Sequence, residues 1–158
     1  MHKISERLTL VANLSVVVGI VFLGAEMRQN TRAVQAQTRD SMTDKQMRLS
    51  EWAMGMPDLI ATLQTVRAVG IEQADATDQM RFRLFVVGNF REWENSYYQY
   101  RNGLFSPEEF EPRLVRWREA LADPNWRYEW DASREEFSPS FRAELDLIVA
   151  EAVGRPSD

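Results

Sequence analysis

Residues 8–25 read LTLVANLSVVVGIVFLGA, and residues 26–54 continue as EMRQNTRAVQAQTRDSMTDKQMRLSEWAM. The first stretch has eighteen residues without a formal charge, bounded by Glu6-Arg7 and by Glu26-Met27-Arg28. At helical rise it reaches roughly 27 Å, close to the thickness of a bilayer's hydrocarbon core. The second stretch holds neither proline nor glycine and is rich in Gln, Arg, Ala and Met, all good helix formers. The spacing therefore predicts one unbroken rod of about 50 residues, an apolar anchor running into a polar helix.

Three readings of residues 8–25 compete: an uncleaved anchor, a cleaved signal peptide and a buried core helix. Lys3 and Arg7 make a weakly basic leader, but cleavage after Ala25 would put the bulky Leu23 where a small residue is usual. The anchor reading is preferred on length and flanks. Asn13 is the polar intruder, and Ser15 and Gly19 lie four apart, a spacing that permits close helix approach. These three are the candidate membrane-helix contact. Arg28, Arg32 and Arg39 follow the segment and are candidate head-group contacts, outnumbering Lys3 and Arg7 before it. That bias places the C-terminal domain in the cytoplasm.

Residues 28–56 carry five basic and three acidic groups, whereas residues 57–158 carry twelve basic and nineteen acidic. A basic collar beside an apolar helix suits anionic lipid, and the acidic remainder argues against nucleic acid as a partner. There are no cysteines, and the single histidine is His2. Disulfides, thiol chemistry and histidine-based metal or acid–base sites are excluded. No phosphate loop and no nucleophile–base pair is present.

Downstream the pattern is all-α. Val34, Met42, Leu49, Trp52 and Met56 form a thin apolar stripe on the long helix. Pro57 opens a helix bearing Leu59, Ile60, Leu63 and Val66, which Gly70 stops. Residues 71–77 read as a loop with Thr77 as N-cap, before a central core helix that carries Phe82, Phe90, Trp93 and Tyr97 to Gly103. Ser106-Pro107-Glu108-Glu109 is a capping box, Pro112 predicts a kink just behind it, Asp123-Pro124 starts a short segment, and Ser138-Pro139 starts the last helix. The divisions are 1–27 (tail and membrane helix), 28–56 (juxtamembrane helix), 57–154 (helical bundle) and 155–158 (frayed tail).

Two clusters carry candidate chemistry. Glu94, Asn95 and Tyr98 make a candidate polar pocket, Glu94 and Tyr98 sharing a helix face one turn apart. The same residues also suit a plain hydrogen-bond network, with Glu94 paired to an arginine such as Arg91. Trp117, Trp126 and Trp130, with Arg116, Arg118 and Arg127 beside them, have the make-up of an interface or of a small aromatic core. A carboxylate-bridged metal pair would need Glu-x-x-His, which is absent. No catalytic, cofactor or metal residue is assigned.

The segments VFLGAEMRQNTRAVQAQT (21–38), NSYYQYRNGLFSPEEF (95–110) and FSPSFRAELD (137–146) resemble an uncharacterised bacterial family of small single-pass membrane proteins. Its marks are an R-Q-N-T-x-A motif after the membrane helix and a Y-Y-Q-Y-R-x-G-L motif. The resemblance implies an inner-membrane architecture with a cytoplasmic domain and no activity. The expectation is a membrane-anchored interaction or scaffold protein, self-associating or bound to another membrane protein, and not an enzyme. The alternative is a membrane-anchored sensor that binds a small molecule or lipid near Glu94, Asn95 and Tyr98.

Overall fold

The computed structural model describes residues 2–154, with side chains from Asn13 onward except at eight positions between 42 and 54. Six α-helices account for most of these residues: α1 (His2–Met54), α2 (Pro57–Val69), α3 (Ala76–Arg101), α4 (Pro107–Ala122), α5 (Pro124–Ser133) and α6 (Pro139–Val153). Short 3-10 turns occupy Ile71–Gln73 and Arg134–Glu136, and no strand occurs among the described residues. The chain divides into two compact units, Met1–Ser41 and Met42–Asp158.

In the first unit, α1 runs through without a break, as the absence of proline and glycine breakers from its polar half predicts. Every described side chain from Asn13 to Val34 is exposed. Among the described residues no helix is long and apolar enough to cross a membrane. The expected span, residues 8–25, starts at side chains outside the described set. In the apolar stripe, Val34 and Met56 are exposed, while Met42, Leu49 and Trp52 lie outside the described side chains.

The second unit is a helical bundle in which α2 packs on α3, α4 on α6, and α5 against both α3 and α4. Its helix ends follow local chemistry. Ser106 accepts from the Glu109 backbone N–H while the Glu109 carboxylate accepts from the Ser106 N–H, closing the capping box at α4. Pro112 sits inside α4, which continues to Ala122. Gly70 ends α2 at φ +85°, and Gly103 follows α3 at φ +72°, conformations that favour glycine. At α3 the expected cap is corrected. Asp75, not Thr77, is the N-cap, its extended backbone letting the carboxylate accept from the N–H groups of Thr77 and Asp78.

The core is aromatic. Trp93 of α3 lies stacked between Trp117 of α4, at 5.3 Å, and Trp126 of α5, at 5.5 Å. Phe90 meets Trp93, Trp126, Trp130 and Phe137 edge-on, the geometry that the ring quadrupole favours. Tyr100 stacks on Phe110 at 4.1 Å. One polar cluster inside this shell is matched: Ser96 donates to Glu92 at 2.8 Å, and Arg113 reaches both.

Candidate functional site

The structure brings Glu94, Asn95 and Tyr98 to the edge of one open cleft of about 590 Å³ in the second unit. Along α3 the lining continues with Arg91, Arg101 and Asn102, and across from it stand Ser138 and Ser140 at the start of α6. The α3 residues recur at helical spacing, so one face of one helix supplies most of the wall. The serines come from a distant segment, and no local pattern could have named them. Arg101 and Asn102, at i+3 and i+4 from Tyr98, were within reach of the same spacing argument.

Glu94 holds the site together. One carboxylate oxygen accepts from the Ser138 backbone N–H at 2.7 Å, and the other lies 3.4 Å from Arg91. Ser138 makes no capping hydrogen bond through its own side chain, so Glu94 serves the entry to α6 from outside the helix. Arg91 is fully engaged: it donates to the Glu136 carbonyl at 2.9 Å, approaches the Glu136 carboxylate at 3.3 Å and covers the Phe137 ring at 4.3 Å. Arg101 lies 5.8 Å from the centre of the Tyr97 ring. Tyr98 stays 65% exposed.

The other sequence candidates separate. Trp117 and Trp130 are buried and Trp126 is half-buried against the same core. The tryptophans expected as a candidate interface thus fill the interior, because the partners that cover them, Phe90 and Trp93, come from α3. On α1, Asn13, Ser15 and Gly19 do not form one contact. Residues two apart fall on opposite sides of a helix, so Asn13 faces away from the Ser15–Gly19 pair. A Cβ added at Gly19 would meet nothing within 4 Å, so that side is open. Arg28, Arg32 and Arg39 are exposed.

Sequence reasoning missed Glu129. It lies in the aromatic segment of α5, is 3% exposed, and its Oε2 has no hydrogen-bond partner. Burial pushes its carboxyl above the ordinary value of 4.5, against the opposing pull of Arg83. A raised carboxyl binds its proton more tightly in the folded chain than in the unfolded one. Stability therefore falls as pH rises from the ordinary value through the raised one. Glu129→Gln removes that loss and should melt above the parent at neutral pH. Thermal melts from pH 4 to pH 8 should show the gap between variant and parent closing on the acid side; a constant gap would place the effect elsewhere.

Among the described residues no group of three or more His, Cys, Asp or Glu side chains could hold a metal ion. No protein-family model matches the chain, and no curated protein or solved structure matches it either.

Proposed function

We propose that the chain is a membrane-anchored helical protein of the bacterial inner membrane, acting through contacts with other proteins, self-association among them. The observation that carries this reading is the surface of α1. From Leu14 to Leu23 its large apolar side chains stand 56–67% exposed on every side of the helix. Water-soluble surfaces rarely present so continuous an apolar patch, and a helix apolar all round wants lipid or a partner on every side. The uncharged run of residues 8–25 has the length for lipid. Arg28 and Arg32, exposed one turn apart just behind it, suit anionic head groups and a cytoplasmic domain. Placing the chain with the R-Q-N-T-x-A family belongs to the same proposal.

The test is alkaline extraction of native membranes followed by light scattering of the detergent-solubilised protein, with crosslinking at Val34. The protein should stay in the pellet, need detergent for release and run as a dimer or larger. A carbonate-soluble monomer would sink the reading.

A second reading, a domain that binds a small ligand, is favoured by one observation: the cleft beside Glu94, Asn95 and Tyr98.

A further inference from the structure

The cleft on α3 is lined by two arginines and a single carboxylate, in a chain whose net charge is −5. The carboxylate is Glu94, already matched by Arg91 and by the Ser138 N–H. Arg91 in turn holds Glu136. That leaves Arg101. Among the described residues it enters no ion pair, and its guanidinium lies over the ring of Tyr97 at 5.8 Å from the centroid. An arginine set over a ring keeps its charge and its forked donors turned to whatever fills the space above.

Beside it is Tyr98, a residue left 65% exposed although four neighbouring aromatics of α3 pack inward or lie half-buried. A tyrosine so placed offers a flat face and a hydroxyl to a ligand at low ordering cost. Ser138, whose hydroxyl makes no capping bond, and Ser140 add neutral hydrogen-bonding groups on the far wall. The volume of about 590 Å³ lies within the range of small-molecule sites. The mixture of one available cation, an exposed ring and neutral hydroxyls disfavours cations and wholly apolar ligands.

We infer that this cleft binds a small ring-bearing organic anion, with its carboxylate or phosphate on Arg101 and its ring against Tyr98. This rests on the ligand-binding reading and is independent of membrane anchoring.

The experiment is calorimetric titration of the full-length protein in detergent with four probes. Adenosine 5′-monophosphate and benzoate are ring-bearing anions with a phosphate and a carboxylate; adenosine is a neutral ring; inorganic phosphate is an anion without a ring. One or both ring-bearing anions should bind saturably, one per chain, at least tenfold more tightly than adenosine or phosphate. Arg101→Ala should weaken that binding at least tenfold, Arg101→Lys less, and Tyr98→Ala at least threefold, while Tyr98→Phe keeps most of it. Unchanged melting curves will show that the variants are folded. Should Arg101→Ala melt early, Tyr98→Ala carries the test, its side chain being exposed. Adenosine binding as tightly as its monophosphate overturns the anion assignment and leaves a ligand site standing. Binding of no probe, or binding indifferent to both residues, overturns the site itself.

Discussion

Val17→Asp combined with Ile20→Asp should move the protein out of the alkali-resistant membrane fraction. Both residues lie in the middle of the uncharged run and both are exposed on α1, so neither substitution disturbs a packed interior. An aspartate near the centre of a spanning helix costs about 2.5–3.5 kcal/mol, so two cost roughly 5–7 kcal/mol. On the proposed anchoring, that is enough to reverse insertion of a short run that already carries one asparagine and one serine. The control places the same two charges on the polar half of the same helix, as Gln37→Asp and Ser41→Asp, and should leave fractionation unchanged. Retention of the first double variant in the washed pellet would show that the proposed anchoring does not run through these residues.

Trp93→Ala should cost the bundle domain about 3–5 kcal/mol, the usual range for deleting a large buried aromatic. Trp93 is 5% exposed and is stacked on both faces, against Trp117 and Trp126, while Phe90 meets it at 70° and 5.3 Å. Its loss removes three ring contacts and leaves a void between helices from three parts of the chain. Domains of this size hold only about 5–15 kcal/mol in all, so the melting temperature should drop by more than about 10 °C. Trp93→Phe should recover part of the loss, since a smaller ring still stacks. Thermal denaturation followed by near-ultraviolet circular dichroism reads both the melt and the asymmetry of the stacked indoles. A variant that melts with the parent would remove this stack from the core.

Most of the helix boundaries were legible because they are written in short-range chemistry. Pro57, Ser106-Pro107 and Ser138-Pro139 start helices, and Gly70 and Gly103 follow their ends, each through backbone constraints that act within a few residues. Asp75 was missed for Thr77 because both are good caps, and only the extended backbone at Asp75 decides between them. The tryptophans show a different limit. Aromatic and arginine enrichment describes a cluster's composition and not which side of it faces water, and Trp117 and Trp130 are inside because α3 supplies Phe90 and Trp93 against them. Asn95 and Tyr98 could be placed on one wall by spacing. The opposite wall, and the use of Glu94 to receive the Ser138 N–H, depend on tertiary packing that no window of sequence contains. Glu129 was invisible for the same reason: a charged residue in an aromatic stretch gives no local sign of being buried.

Because α1 is unbroken through this region, its residues keep a fixed angular phase of about 100° each. On that wheel Ser15 and Gly19 share one sector, and Arg28, Arg32 and Arg39 fall together in a sector roughly opposite. Two copies meeting along the glycine-bearing sector would carry their guanidinium groups outward, away from each other and towards surrounding lipid. Lateral pairing and head-group attraction, both part of the proposal, would therefore use different arcs of one cylinder, and neither would have to give way for the other to form.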